Sequence, residues 1–299
     1  MDTGPVMSRT WWWEAVSTPV GKESGAICAH GGRGETAASV PYQVTKRGPF
    51  AALLLPQLTQ TSHMSLPSGQ DGRGEALKSL IGELKRFMAQ RLVVMAQVAD
   101  YMTEEDKDIL RSEGFKLEER VSYRVKPDAM GEVVGRFSPG KRRKFQKAES
   151  SGFSLRQEMT PDELYDALKE AYGRVRYPRE LLTSVASAAI SRGCGVILEA
   201  VDGRGESAAA VFLAHDEETL YYIAPAIRRT HRKDGANEWL TVKCMEYAFR
   251  RGLTFDFEGS AVPNIAKSYR HYGGTAAHYT FATLFRNHLV ERLITMIKG

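Results

Sequence analysis

Apolar residues at Leu77, Leu80, Ile81, Leu84, Phe87 and Met88 recur every three or four positions, a spacing that predicts an amphipathic helix over 75–90. Before it, 27–29 and 36–45 read as strands joined through Gly31-Gly32-Arg33-Gly34, a hairpin signal, and 51–55 as a third strand. That strand runs into a polar loop extending from Pro56 to Gly74. After the helix, 92–98 reads as a strand, Thr103 as the N-cap of a helix closing at Gly114, and 115–125 as a strand. Three consecutive tryptophans, Trp11 to Trp13, cannot share one face. A short helix over 9–16 is expected to bury two and leave one at a cleft or surface.

The second half predicts a basic helix over 141–150, a short strand over 153–158, and a helix from Thr160-Pro161-Asp162-Glu163, a capping-box start, to about Tyr172. A helix over 179–192 and a meander of strands at 196–201, 207–215 and 219–224 follow. Then the order helix, strand, helix, Gly, strand returns: 236–250, the strand after Leu253, a helix closing at Gly273, and 279–284. The same order runs from 77 to 125, so the chain reads as two copies of one α/β unit with mixed sheets. The boundary is expected within 127–135, giving an N-terminal domain over 1–135 and a C-terminal domain over 136–299.

Charge adds a second layer. The net charge is +5 over 299 residues, and 136–152 alone carries Arg136, Lys141, Arg142, Arg143, Lys144 and Lys147 against Glu149. A second cluster is Arg228, Arg229, His231, Arg232 and Lys233. Either suits phosphate groups or is a solvated face. Cys28, Cys194 and Cys244 are odd in number and far apart, which favours neither disulfides nor a metal site. No apolar run nears the roughly 20 residues of a membrane span, and the start lacks signal-peptide character. A cytoplasmic, metal-free protein is expected.

The stretch from Phe255 to Ser260 is where chemistry is expected. Alternation puts Asp256 and Glu258 on one face of a strand and Phe255 and Phe257 on the other. Its first-half equivalent, 93–99, carries no acid, so chemistry is assigned to the second half. A partly buried carboxylate has a raised proton affinity, so Glu258 is a candidate base, a ligand of a cationic group, or structural. Asp256 is a further candidate, or a partner of Arg270. Tyr269, Tyr272 and Tyr279 lie close together in sequence, and His271 and His278 flank the same turn. Gly235 opens a helix, where backbone N–H groups with Arg232 and Lys233 could receive a phosphate.

These motifs together resemble the GNAT acyltransferase superfamily, particularly its double-GNAT, FemAB-like branch. The resemblance rests on the run from Arg228 through Gly235-Ala236-Asn237, the Phe255-to-Ser260 strand, Tyr269-Arg270-His271-Tyr272-Gly273, and the basic run Arg142 to Ala148. Pro41-Tyr42 and Pro56-Gln57-Leu58-Thr59-Gln60 resemble the first domain's loops. It implies two GNAT folds packed side by side, the first degenerate or substrate-positioning, the second catalytic. It implies first N-acyl transfer from acyl-coenzyme A to a small-molecule or peptide amine; the alternatives are a Fem-type transferase that uses aminoacyl-tRNA to build peptidoglycan cross-bridges, and a GNAT-fold binding protein that has lost transfer. On this resemblance Glu258, Asp256, Tyr269 and Tyr279 are catalytic candidates, since GNAT enzymes often use a tyrosine to protonate the leaving group; core packing is the alternative for Tyr269, Tyr272 and Tyr279. Arg228, Arg232, Lys233, Gly235, Ala236 and Asn237 would hold the donor, and Trp12, Tyr42, Thr59, Gln60 and Arg270 the substrate. Residues 232–237 end in Asn where the GNAT pyrophosphate loop commonly has Gly or Ala, and the helical-hairpin insertion of some Fem transferases is absent.

Overall fold

The computed structural model describes residues 4–32, 34–48, 50–69, 71–259 and 263–298. Arg33 of the expected hairpin turn and Ser260 of the acidic stretch lie outside them. The first half contains α1 (Thr10–Ser17), β1 (Ser24–His30), β2 (Thr36–Arg47), β3 (Phe50–Leu53), α2 (Arg73–Gln90), β4 (Val93–Asp100), α3 (Glu104–Ser112) and β5 (Lys116–Val125). It is followed by α4 (Met130–Gly135), α5 (Pro139–Glu149), β6 (Ser154–Arg156), α6 (Pro161–Tyr172), α7 (Arg179–Ser191), β7 (Gly195–Val201), β8 (Ser207–His215) and β9 (Thr219–Ile227). The chain then forms α8 (Ala236–Phe249), β10 (Thr254–Asp256), α9 (Pro263–Arg270), β11 (Thr275–Phe285) and α10 (His288–Lys298).

Two compact units result: residues 7–120 with 278–298, and residues 4–6 with 121–277. In the first, the strand order is β1-β2-β3-β4-β11. Pairing is antiparallel except between β3 and β4, which run parallel with α2 as their crossover. α2 buries Leu77, Leu80, Ile81, Leu84 and Met88 against Val93, Ala96 and Val98 of β4, the stripe that its spacing predicts. α1 buries Trp12 and Trp13 and leaves Trp11 half-buried.

The second unit repeats this plan. Its strand order is β5-β10-β9-β8-β7-β6, antiparallel except for β9 and β10, which are parallel with α8 as crossover. Its core joins Leu198, Val211, Leu213 and Tyr222 of the sheet to Leu240, Cys244, Met245 and Ala248 of α8.

The partition differs from a cut near residue 135. β5 runs past Arg120 to pair Arg124 and Val125 with Asp256 and Phe255, so the first half's last strand completes the second unit. Reciprocally, β11 pairs Thr280–Phe285 with β4 in the first. The expected linker at 127–135 contains α4. Among the described residues no helix is long and apolar enough to cross a membrane.

Candidate active site

In the second unit β9 and β10 pair only through Thr254, Phe255 and Asp256, opposite Thr219, Leu220 and Tyr221. β9 continues along β8 to Ile227, whereas the other chain turns away. Phe257 donates its N–H to Tyr123 O on β5 at 3.1 Å, and Glu258 enters the left-handed region at φ +64°. The parallel strands therefore part at their carboxyl ends, the position at which open α/β sheets bind ligands. Pro225 sits on the uncovered stretch of β9, where no ladder donor is needed, and Tyr172 donates its hydroxyl to Pro225 O at 2.8 Å.

The expected strand over 255–260 thus ends at Asp256, and the two acids have different environments. Asp256 is fully buried and saturated. It accepts from Arg124 Nε at 2.7 Å, from Glu258 N at 2.8 Å and from the Ser122 hydroxyl. Its cationic partner is Arg124, one strand away, because Arg270 is exposed on α9. Asp256 accordingly fixes the turn that carries Glu258. Glu258 Oε1 is enclosed without any hydrogen-bond partner, although the residue as a whole is only half-buried. Burial pushes the Glu258 carboxyl well above the usual range; the charge of Asp256 adds to this and Arg124 opposes it. A strained, non-glycine left-handed backbone holding an unsatisfied carboxyl is a functional signature.

Tyr269 stacks on Phe257, with ring centroids 4.6 Å apart at 22°. Burial first, then Tyr172 and Glu258, raises its phenol above the ordinary tyrosine value. Tyr272 is fully buried and accepts from Lys141 Nζ at 3.2 Å and Asn237 Nδ2 at 3.3 Å, which places it in the core. His271 contributes its carbonyl to Ser138 N, and exposed His278 meets Glu119 at 2.8 Å.

At the start of α8 several of the expected phosphate ligands are engaged within the chain. Arg228 pairs with Glu170, and Arg232 donates to Ala171 O. Asp234 Oδ1 accepts from Ala236 N at 3.2 Å, while its Oδ2 meets His231 Nδ1 at 2.6 Å. Gly235, at φ +88°, lies against α5: a Cβ there would stand 2.5 Å from Lys144 O. The close backbone approach expected for a phosphate is made to another helix. Lys141 of α5 pairs with the buried Glu238 at 2.9 Å, and Lys233 remains exposed.

An acetyltransferase (GNAT) domain family model matches residues 116–269, more than half of the chain. The chain belongs to this GNAT family. The β9–α8–β10 unit and the parted strands fall inside the matched residues, and so do Asp256, Glu258 and Tyr269. Among solved structures this GNAT protein is similar to FemX (14% identity, TM-score 0.77, covering 99% of this chain and 95% of that one). It is also similar to L-PGS from Bacillus licheniformis (14%, 0.58, 93% and 88%) and to a tandem GNAT protein from the clavulanic acid biosynthesis pathway, solved without AcCoA (14%, 0.56, 89% and 84%). At these identities the likeness is one of fold: two tandem GNAT-like domains of mixed α/β structure. A search of curated proteins found no match.

The remaining candidates of this GNAT chain lie in the first unit. Trp12 donates its indole N–H to Thr59 Oγ1 at 2.9 Å, and Gln60, next in the loop, has a buried side-chain nitrogen without a partner. Tyr42 is apart from them, tilted on Phe87 with its hydroxyl 3.3 Å from Glu23. Tyr279 is buried beside Tyr101 at 5.9 Å, in a different unit from Glu258. Sequence reasoning misses Asp100, the last residue of β4. It is buried and accepts from Met64 N and Tyr101 N at 2.5 and 2.8 Å. The first-half strand therefore does end in a carboxylate. Two hydrophobic residues, Val98 and Ala99, precede it, and the strand's apolar run obscures the acid at its end.

Proposed function

We propose that the chain is a Fem-type N-acyltransferase that moves an aminoacyl group from tRNA to the amine of a peptide or small molecule, such as a cell-wall peptide precursor. The observation that carries this reading is the filled start of α8. A coenzyme A pyrophosphate needs open N–H groups there, and Asp234 and the Lys144 backbone occupy that space. The same packing brings α5, with Arg143, Lys144 and Lys147 exposed, against the loop bearing exposed Arg232 and Lys233. Surface charge of this kind suits a polyanion. The full-length likeness to FemX supports the same reading. A tRNA donor implies a cytoplasmic setting.

In the step itself the amine nitrogen attacks the ester carbonyl, a C–N bond forms, and the C–O bond to the ribose breaks. Glu258 takes the proton released from nitrogen, since burial strengthens its hold on a proton. Tyr269, held as a neutral phenol by burial, supplies a proton to the leaving oxygen. Asp256 and Arg124 position Glu258.

Thermal-shift assays with charged tRNA, coenzyme A and acetyl-coenzyme A test the donor. Stabilisation by tRNA that weakens steeply with salt is expected, and replacing Arg143 and Lys147 with Glu should reduce the salt slope by about 1 for each phosphate no longer neutralised. Stabilisation by coenzyme A without any by tRNA at low salt would instead establish the acyl-coenzyme A reading.

A further inference from the structure

β3 and β4 are the first unit's counterparts of β9 and β10, a parallel pair joined by a crossover helix. The loop after β3 and the last residue of β4 therefore meet at the carboxyl end of that pair, the equivalent of the place that holds Glu258. Three side chains converge there. Thr61 Oγ1 lies 2.5 Å from His63 Nε2, and His63 Nδ1 lies 3.2 Å from Asp100 Oδ1. Asp100 is held by the N–H groups of Met64 and Tyr101, and the imidazole stacks on Tyr101 at 6.2 Å and 29°.

The loop is built rather than loose. Ser62 clamps it to β4: Ser62 N and Oγ both donate to Ala99 O, at 2.7 and 3.1 Å, and Ala99 N donates to Ser62 Oγ at 3.0 Å. Leu58 and His63 take left-handed backbone at φ +62° and +50°, strain that the clamp sustains. Gln60, adjacent to Thr61, contributes the buried amide nitrogen that has no partner.

We infer that Thr61, His63 and Asp100 form a second acyl-handling site, a hydroxyl–imidazole–carboxylate relay that accepts the acyl group of an ester. Hydroxyl, imidazole and carboxylate in this order, with each ring nitrogen facing its proper neighbour, constitute an activated nucleophile. Thr61 Oγ1 bonds to the ester carbonyl carbon, and its proton passes to His63 Nε2. The C–O bond to the leaving alcohol then breaks, and that alcohol takes the proton back from His63. Asp100 stabilises the imidazolium through Nδ1–H. Gln60 Nε2 is the free donor in the loop for the oxyanion of the tetrahedral adduct. The Thr61 hydroxyl is enclosed, while the imidazole and carboxylate side chains keep 11% and 12% of their surface. The product is an acyl-threonine ester, released by water or by an amine. None of this depends on the tRNA reading or on Glu258.

The test treats the full-length protein with p-nitrophenyl acetate, followed by mass spectrometry of the intact chain and its peptides. One acetyl group on the peptide bearing Thr61, with release of one equivalent of p-nitrophenolate, is expected. Thr61→Ser should retain the adduct and Thr61→Val should lose it with an unchanged melting temperature. Asp100→Asn should slow acylation by about 10³-fold or more. Absence of an adduct on Thr61 in both the native chain and folded Thr61→Ser, or an equal rate in Asp100→Asn, overturns the assignment.

Discussion

Glu258 combines a left-handed backbone, an enclosed carboxyl oxygen without a partner and a raised pKa. Those features make it costly to the fold and useful to a proton transfer. Because the folded state holds the proton more tightly than the unfolded chain, raising the pH above the unfolded value of about 4.3 disfavours folding until Glu258 itself ionises. Glu258→Gln should therefore melt higher than the native chain at neutral pH, with the difference vanishing below about pH 4. If Glu258 is the base, the same variant should lose about 10²–10⁴-fold in turnover on a confirmed substrate. Arg124→Ala should destabilise by about 3 kcal/mol in denaturant unfolding, since it leaves the fully buried Asp256 without its cation. Alternation singles out Asp256 and Glu258 together, and only the Gly259 break beside Glu258 favours the latter. It does not reveal that Asp256 is saturated, because Ser122 and Arg124 are more than 130 residues away in sequence and only strand pairing brings them near.

Where local chemistry decides an element, the sequence is informative. Thr160 and Glu163 form the expected reciprocal capping box, and Thr103 caps α3 in the same way with Asp106. Thr160→Ala should cost about 1 kcal/mol of stability, read from urea midpoints. The helix α10 is absent from the expected elements although its signal is ordinary: Asn287 Oδ1 accepts from Val290 N at 3.0 Å, an N-cap bond. The glycine at the start of α8 lies against the backbone of α5, a contact the sequence does not foretell, since periodicity carries no information on which helix packs there. Gly235→Ala should destabilise by roughly 2 kcal/mol or more, because the new Cβ meets Lys144 O at 2.5 Å on left-handed backbone. A variant of unchanged stability would show that α5 does not press on this turn.

The duplicated order of elements is legible from hydrophobic spacing, yet the exchange of last strands is not. Nothing local in 116–125 or 275–285 distinguishes pairing with one unit's sheet from pairing with the other's; a sheet register between distant strands is set by tertiary packing. A fragment ending at residue 135 therefore lacks β11 and contributes β5 to a unit that is missing. It should give broad, poorly dispersed amide NMR spectra, and a well-dispersed spectrum would refute the reciprocal arrangement.

The exchange also imposes a timetable on synthesis. Unit-by-unit folding usually proceeds from the N-terminus as a chain emerges from the ribosome. Here β4 waits for residues 280–285 to satisfy its far edge, so the first unit cannot be finished until the whole of the second has been synthesised. During that interval an apolar strand edge is uncovered, a ready template for pairing with a neighbouring nascent chain. Termination between residues 275 and 285 should then unfold the first unit as well as truncate the strand, and the nascent chain should depend on a holdase chaperone until β11 is made.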